Sequence, residues 1–416
     1  MSRSPRGRVT VVTSGHLSTC PRMLKSADAL SADGYDVRVI ATRHQPWAID
    51  ADREVTSQRS WAAETITYRR GESAAYWWTG ARYRAMRATA RALDPAHAPL
   101  AVVARAFGRV HSELVRAIAA DPGDLVYGGT TGALAAIAEG ARRRGTPYAI
   151  DLEDFHSGET AGADAPFVDA LAVRVERAVL PGATFVTAGS EAIAGAYEAR
   201  DGIVPTVIHN TFALPSRMPD VARVDPARLR VYWFSQTIGA GRGLEDAVLA
   251  LGRAGIAAHL ALRGQPQAGY LDGLRTLAAT HAPRLELVHL DPAPPDAMVD
   301  LARGYDVGLA LEQMAPRNRQ LCLTNKAFTY LLAGVPVVLT DTPGQHTLGV
   351  ALGRAAELVP AGDVAALAAA FACWAGDPAA LDCAKRTAWN AASRRWHWEH
   401  DADRGALLAL VREALA

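Results

Sequence analysis

The chain has 416 residues, of which 50% are apolar and 21% are charged, and this composition excludes a largely disordered protein. That length is too great for one hydrophobic core and suits two α/β domains. The formal net charge of +1 provides no global field for polyanions, so we expect no nucleic-acid partner and at most peripheral membrane contact.

The cysteines and the N-terminal sequence favour a cytoplasmic protein. The cysteines are Cys20, Cys322, Cys373 and Cys383, whose spacing fits neither a disulfide framework nor a zinc site. The apolar run near the N-terminus is too short for a signal segment, and no run of about eighteen apolar residues lacks a charge. We therefore expect a cytoplasmic chain without a metal site or a transmembrane helix.

A first domain is predicted over residues 1–213. Its β-rich runs alternate with helical, Ala-, Leu- and Arg-rich stretches, which is the pattern of βαβ units around a parallel sheet. The candidate strands are 9–14, 36–42, 124–129, 148–153 and 185–190. In open α/β sheets, ligands bind at the carboxyl ends of the strands.

Residues 71–118 interrupt this first series and predict an inserted helical hairpin. They contain four aromatic residues, Tyr76, Trp77, Trp78 and Tyr83. We expect these side chains to pack onto their own domain. The alternative is an exposed platform that binds an acceptor or faces a membrane.

A linker predicted at 214–230 leads to a second Rossmann-like domain at 231–390. The candidate strands are 230–236, 257–264, 285–290, 306–312 and 336–341. Residues 391–416 are predicted as a final segment whose helix begins near Trp396, Trp398 and Glu399.

The most informative segment, 306–341, predicts a strand, a loop, a capped helix and another strand. Thr324 is a good N-cap, and Gly334 supplies a left-handed C-cap. A helix that starts at Asn325 directs unpaired N–H groups and a partial positive charge above the sheet, and Lys326 adds a full charge. We therefore predict a diphosphate site here. The alternative for Lys326 is a solvated lysine at a helix start.

A second cationic helix start follows the first strand of this domain. We predict that the strand ends at Ser235, that a glycine-rich turn containing Gly241 follows, and that Arg242 precedes the Gly243 that opens the next helix. Arginine can bind phosphate through two hydrogen bonds. Together with Lys326, Arg242 predicts a clamp for a diphosphate.

The sequence NKAFTYLLAGVPVV, which begins at Asn325, resembles the signature of retaining GT-B glycosyltransferases, especially family four. The resemblance implies an α/β chain of two Rossmann-like domains whose parallel sheets face a central cleft. It implies a UDP- or GDP-sugar co-substrate with no further cofactor, no metal ion, and a sugar, lipid or small metabolite as acceptor. In GT-B proteins the last helix crosses back to the first domain.

The resemblance also assigns donor contacts. Arg242 stands where the family has a phosphate-binding lysine. Lys326 and the helix start at Thr324 and Asn325 would hold the donor diphosphate, and Thr329 stands where a glutamate usually contacts the ribose. The remaining donor-binding candidates are Gly15, Ser235, Gly241, Arg263, His289 and Leu290.

Glu312 ends the predicted strand 306–312. Its position resembles that of an acidic residue that contacts donor-sugar hydroxyls in the family, and we assign it that role. The alternative is a surface carboxylate paired with Arg317 or Arg319, which would contribute little.

Two acceptor-side candidates follow the first strand. The family places a glycine-containing loop against the donor phosphate and the acceptor, and here that loop carries Gly15 and His16. His16 and Arg22 are therefore predicted to contact the acceptor. The alternative is that His16 merely caps the helix.

A polar cluster, Asp151, Glu153, Asp154 and His156, lies at the end of the strand 148–153. It lacks the further carboxylates of a metal site. The family has a histidine near this strand end that touches the transferred sugar, so we assign that role to His156 and an acceptor contact to Asp154. An acid/base pair is the alternative, because inverting transferases need a base.

The sequence thus predicts a retaining, metal-independent hexosyltransferase-type enzyme. Arg242, Lys326 and helix amides would stabilise the negative charge on the departing diphosphate. Two alternatives are a nucleotide-sugar epimerase of GT-B fold and a non-catalytic nucleotide-sugar-binding partner protein. The second is suggested by Thr329 in place of the usual glutamate.

Overall fold

The structure of the chain is a computed structural model. The residues that it describes are 5–219, 225 and 227–416. Of the linker predicted at 214–230, residues 220–224 and 226 lie outside the described residues.

Two compact units are present. The first domain contains the described residues up to His209 together with Asp401–Ala416. The second domain is the continuous stretch Asn210–His400. The chain therefore leaves the first domain once, completes the second, and returns.

In the described part of the first domain, seven parallel strands form one sheet in the order β3-β2-β1-β4-β5-β6-β7. The strands are β1 (Arg8–Thr13), β2 (Asp36–Arg43), β3 (Ala62–Thr67), β4 (Leu125–Gly129), β5 (Tyr148–Leu152), β6 (Val186–Ala188) and β7 (Thr206–Val207). The helices between them are α1 (Pro21–Ala32), α2 (Ile49–Ser57), α3 (Ala74–Leu93), α4 (Leu100–Phe107), α5 (His111–Ala120), α6 (Leu134–Arg142), α7 (Ala165–Val179) and α8 (Glu191–Asp201).

The second domain repeats this architecture. In its described part, six parallel strands lie in the order β10-β9-β8-β11-β12-β13. The strands are β8 (Leu229–Ile238), β9 (Ala258–Pro266), β10 (Leu285–Leu290), β11 (Val307–Ala310), β12 (Val337–Thr340) and β13 (Ala356–Val359). The helices are α9 (Leu244–Ala254), α10 (Tyr270–His281), α11 (Met298–Ala302), α12 (Arg317–Leu321), α13 (Asn325–Leu332), α14 (Pro343–Leu352), α15 (Val364–Gly376) and α16 (Pro378–Arg394).

Hydrophobic runs determine the central strands. Every residue of β4, β5, β11 and β12 is buried, as expected for parallel strands covered by helices on both faces. Two apolar clusters fill the interior of the second domain, and Trp233 of β8 and Phe328 of α13 belong to different ones.

The end of the chain completes the first domain. The last helix, α17 (Ala406–Ala414), buries Leu407, Leu408 and Val411. Ahead of it, the Asp403 carboxylate accepts a hydrogen bond from the His209 backbone N–H at 2.8 Å.

The predicted start of this last helix is wrong. Trp398 and Glu399 lie in the turn before α17, within the second domain. The Trp398 N–H donates to the Phe212 carbonyl at 2.8 Å, and Glu399 accepts from the Leu214 N–H at 3.0 Å. These contacts fix the turn against the stretch that enters the second domain, so the helix begins only at Ala406.

The inserted region forms three helices, α3, α4 and α5, instead of a hairpin. Its aromatic residues divide into two groups. Tyr76 and Tyr83 are half-buried, whereas Trp77 and Trp78 expose 61% and 68% of their surface. The expectation that all four pack onto their own domain is therefore wrong for the two tryptophans.

Among the described residues, no single helix is both long and apolar enough to cross a bilayer, although the sharply bent pair α15 and α16 has the required length and composition when the two helices are joined.

Candidate functional site

In the second sheet the order in which strands are added reverses between β8 and β11. These two strands are neighbours in space but are separated by two βα units in sequence. Ligands of doubly wound sheets bind at the carboxyl ends of strands at such a switch point. Here the loops that leave β8 and β11 meet. The strand β8 extends to Ile238, so the predicted strand end at Ser235 is wrong. Ser235 lies inside the strand, at a pairing irregularity with β9.

Glycines bring these two loops into contact. Gly241 and Gly243 have φ angles of 72° and 69°, which favour glycine. A Cβ on Gly243 would lie 2.7 Å from Leu311 Cβ and 2.9 Å from Gln313 Nε2. The missing side chain therefore lets the turn that carries Arg242 approach the segment after β11.

Glu312 lies at the centre of this contact. Its carboxylate accepts hydrogen bonds from Arg319 Nη1 at 2.7 Å and from Lys326 Nζ at 3.1 Å. Burial alone would raise the pKa of Glu312, but the charges of Lys326 and Arg319 outweigh it and lower that pKa to about 2. Because the side chain is only 4% exposed, the surface-pair alternative for Glu312 is wrong, although its partnership with Arg319 is correct.

Lys326 is a buried residue at the start of α13. Its Nζ donates to Thr324 Oγ1 at 3.1 Å as well as to Glu312, and it lies 5.9 Å from the centre of the Trp233 ring. Burial lowers the pKa of Lys326, as do the charges of Arg319 and Arg242, while Glu312 opposes that shift. The alternative of a solvated lysine is therefore wrong.

Arg242 is the third cation of this cluster. It is half-buried and makes no hydrogen bond or ion pair with any residue that the structure describes. Burial and the charge of Arg319 lower its pKa. Among the described residues, one carboxylate thus faces three cations, Arg242, Arg319 and Lys326, and the excess positive charge suits an anion.

The N-terminus of α13 adds backbone donors. Thr324 caps the helix by accepting from the Lys326 N–H at 3.4 Å, and Asn325 is its first residue. Thr329 is different, because it is fully buried and its hydroxyl donates to the Asn325 carbonyl at 3.2 Å. The predicted ribose contact of Thr329 is therefore not supported, since the hydroxyl is used within the helix.

Three of the predicted donor-binding residues, Arg263, His289 and Leu290, lie at the ends of β9 and β10. Arg263 donates from Nε to the Tyr232 hydroxyl at 2.8 Å and from Nη1 to the Asp291 carbonyl at 2.7 Å. His289 Nε2 donates to the Gly264 carbonyl at 2.9 Å, and Leu290 is half-buried. The structure brings these side chains together, and their hydrogen bonds make Arg263 and His289 supports of this edge.

His16 of the first domain has a structural role. It is 2% exposed, and its Nδ1–H donates to Asp52 at 2.6 Å while Nε2 accepts from the backbone N–H groups of His44 and Gln45. Burial would raise the pKa of Asp52, but hydrogen bonds from His16 and Ser18 lower it. The acceptor-side prediction for His16 is therefore wrong, because both ring nitrogens are used inside the domain.

Arg22 is also structural. It is 2% exposed and donates from Nε and Nη2 to the two oxygens of Asp151, each at 2.7 Å. A third hydrogen bond reaches the Ile208 carbonyl. The acceptor-side prediction for Arg22 is wrong for the same physical reason: its donors are occupied in the interior.

In the first sheet the order in which strands are added reverses between β1 and β4. The sequence did not predict the polar residues at this point. Ser14 and Thr130 hydroxyls lie 2.8 Å apart, and Thr130 has a φ of 76°, unusual for a residue with a side chain. Gly15 follows Ser14, and a Cβ on it would lie 2.8 Å from Cys20 Sγ. Thr131, next along, donates to Glu159 at 2.7 Å.

His156 joins this group from the loop after β5. Its Nδ1 lies 2.7 Å from Glu159 and 3.3 Å from the Thr131 hydroxyl. Its Nε2 is buried without a hydrogen-bond partner among the described residues. Asp154, two residues before, is half-buried in the same loop. The Nε2 of His156 is therefore available for a hydrogen bond to a ligand.

The ionisation of His156 predicts a pH dependence of stability. Burial would lower its pKa, but Glu159, helped by Glu176 and Asp154, raises it to about 9. A raised pKa stabilises the fold below the unfolded value of about 6.5, and this contribution is lost as the pH rises through about 9. Burial lowers the pKa of Lys25 to about 7, which opposes this loss in both proteins, so we expect the urea midpoint of the wild type to decline over that window relative to that of the His156→Gln variant. Equal slopes in both proteins would contradict this assignment.

Neither of two cavities matches this chemistry. A cavity of about 400 Å³ is lined by Asp28, Arg59 and Trp61 among others, and one of about 300 Å³ by Glu176 and Arg200 among others. The first lies at the amino end of β3, whereas the second is connected to the loop after β5, because Arg200 donates a hydrogen bond to Ser157. Among the described residues, no group of three or more His, Cys, Asp or Glu is arranged to hold a metal ion.

No protein-family model and no curated protein matches the chain by sequence. Solved structures do match its whole length. HepE from Anabaena in complex with UDP-glucose has a TM-score of 0.67 at 16% identity over 99% of each chain. Sucrose-phosphate synthase from Thermosynechococcus elongatus has a TM-score of 0.70 at 15% identity over 99% of this chain and 100% of the other.

The chain has the GT-B fold. A further protein of similar structure, assigned as a UDP-N-acetylglucosamine 2-epimerase from Listeria monocytogenes, has a TM-score of 0.58 at 13% identity over 99% of this chain and 97% of the other. At these identities the similarity establishes the two parallel-sheet, Rossmann-like domains of this GT-B chain. It does not establish which reaction the chain catalyses.

Proposed function

We propose that the chain is a glycosyltransferase that takes a hexosyl group from a UDP- or GDP-sugar. The observation that carries this proposal is the half-buried Arg242. It lies next to the cluster of Glu312, Arg319 and Lys326 but forms no ion pair of its own with the described residues. A diphosphate supplies the missing negative charge and offers oxygens to a guanidinium and to helix N–H groups together. The structural similarity to HepE, which was solved with UDP-glucose, supports the proposal.

In the proposed reaction, the bond between the sugar anomeric carbon and the diphosphate oxygen breaks. The acceptor hydroxyl oxygen bonds to that carbon and passes its proton to the departing phosphate oxygen, and the nucleoside diphosphate leaves. Arg242, Lys326 and the N–H groups near Asn325 stabilise the charge that accumulates on the leaving oxygens. Glu312 positions Lys326 and Arg319, since both of its oxygens already accept from them.

The first domain supplies the sugar and acceptor contacts in this proposal. The unpartnered Nε2–H of His156 donates to a hydroxyl of the transferred sugar. In this proposal Asp154 contacts the acceptor, and Gly15 belongs to the donor-binding residues. We propose a retaining reaction in the cytoplasm that needs neither metal nor cofactor, with a sugar, lipid or small metabolite as acceptor.

A nucleotide screen tests the donor assignment. We expect UDP or GDP and the corresponding sugar to raise the melting temperature of the wild-type chain, since a ligand that binds only the folded state stabilises it. ADP is the matched control. The Lys326→Met variant is expected to lose the shift, and a shift that survives in that variant would remove Lys326 from the site.

An epimerase is the second candidate, because a protein of that assignment shares the fold. A third is a partner protein that binds the donor without turnover, favoured by the buried Thr329 at the position of the expected glutamate. Incubation with the donor alone separates them. An isomerised sugar indicates the epimerase, transfer to an added acceptor indicates the transferase, and binding without either indicates the partner protein.

A further inference from the structure

Two adjacent tryptophans on α3 stand in solvent. Trp77 and Trp78 are 61% and 68% exposed, although each carries a large apolar ring whose burial would be favourable. Two neighbouring exposed rings form a contiguous apolar surface, and such surfaces mark interaction sites when they are large.

The exposure does not result from a loose helix. The opposite side of α3 buries Thr79 and Gly80. Arg109 donates to the Tyr76 carbonyl at 2.7 Å and to Thr79 Oγ1 at 3.2 Å. Packing therefore fixes which face of α3 points outward.

Helical spacing defines that outward face. Trp77, Ala81, Arg84 and Ala88 follow one another at intervals of three or four residues, and all are exposed. Trp78 and the exposed Ala85 run alongside. The helix contains no acidic residue. The face therefore consists of the two indole rings and small alanine side chains, together with Arg84.

The surrounding charge is strongly positive. Residues 69–118 contain nine arginines and three acidic residues, an excess of six, whereas the entire chain has a net charge of +1. Several of these arginines are neutralised, as Arg82 is by Glu113. Arg70 and Arg84 are exposed and form no ion pair with the residues that the structure describes.

We propose that this face docks reversibly on a bilayer that contains anionic phospholipid. Trp77 and Trp78 enter the headgroup region, where indoles are favoured because they are apolar with one polar N–H. Arg70 and Arg84 bind lipid phosphates. The alanines between them carry no group that could read a base or a peptide, which favours a membrane over a polymer with a defined sequence.

Docking here would orient the first domain. The Tyr76 ring meets Trp77 edge-on at 5.3 Å, and Arg109 lies over the rings of Tyr76 and Tyr68 at 4.6 and 5.0 Å. Tyr68 stacks on His44 at 4.8 Å. Because Tyr68 and His44 directly follow β3 and β2, these contacts connect the membrane face to the carboxyl edge of the first sheet.

Vesicle flotation of the full chain tests the proposal. We expect binding to phosphatidylcholine vesicles that contain phosphatidylglycerol, weaker binding to phosphatidylcholine alone, and weakening with salt. The Trp77→Ser/Trp78→Ser variant is expected to lose at least about tenfold in partitioning, since two apolar rings no longer enter the headgroup region. Arg70→Gln/Arg84→Gln is expected to lose about tenfold on the anionic vesicles only.

The exposed Trp47 provides a matched control. It is 49% exposed in the same domain but lies outside α3, so Trp47→Ser should bind as the wild type does. Circular dichroism should show all variants folded, because the replaced side chains are exposed. An absence of vesicle binding, unchanged binding by the double tryptophan variant, or binding to single-stranded nucleic acid in place of vesicles would overturn the proposal. None of these assays involves the donor, so the result is independent of the proposed transferase activity.

Discussion

The Arg242→Ala variant is expected to turn over the donor about 10²- to 10³-fold more slowly while its free energy of unfolding stays unchanged. The rate falls because a preorganised cation that stabilises the leaving diphosphate is removed. Stability is unaffected because Arg242 makes no hydrogen bond or ion pair with the described residues. Donor turnover and urea unfolding, measured on the same preparation, check both parts.

Two further variants sharpen this experiment. Arg242→Lys keeps the charge but loses the paired hydrogen bonds, so we expect intermediate turnover. Arg253→Ala is the matched control, because Arg253 is exposed in the last turn of the same helix, α9, away from the glycine turn. If Arg242→Ala retains near-normal turnover, or if Arg253→Ala loses as much, Arg242 has no place in the mechanism.

The Arg22→Met variant is expected to lose about 3–5 kcal/mol of unfolding free energy, because the buried Asp151 carboxylate loses its ion-pair partner and is left with hydrogen bonds from the hydroxyls of Thr187 and Tyr127. Replacing both partners, as in Arg22→Met/Asp151→Leu, should restore much of that loss. Urea unfolding followed by a first-domain signal measures these changes. Arg412→Ala removes an exposed pair with Asp33 and should cost at most about 1 kcal/mol.

This experiment separates the two roles considered for Arg22. An acceptor-binding arginine would leave the domain stable when replaced and would reduce transfer alone. A stable Arg22→Met variant would therefore favour the acceptor-binding role of Arg22 over the structural role that its burial indicates.

The sequence predicts the strands well where they are central and apolar. All ten predicted strands overlap observed ones, because runs such as VTVVT and PVVL can only be buried between helices. Three strands were missed, β3, β7 and β13. β3 is AAETIT, an edge strand with no fully buried residue, β7 has two residues, and β13 is an edge strand in which Val359 alone is buried. Their periodicity gives little signal.

The candidate site was predictable in part. Local rules sufficed for the glycine turn at Arg242 and the capped helix start at Lys326, since each depends on neighbours in sequence. Glu312 was placed near them, but its partnership with Lys326 depends on tertiary contact. The burial of His16 and Arg22 was not predictable, because Asp52 and Asp151 are distant in sequence and no local pattern pairs them.

The return of the chain to its first domain affects the order in which folding can finish. Asn210–His400 contains every element of the second domain, so this domain does not need α17 in order to fold. The first domain must wait for Leu407, Leu408 and Val411 to cover its surface and for Asp403 to meet His209. Until α17 packs, the apolar surface of the first domain that these three side chains cover is exposed. A chaperone would bind the first domain during that interval.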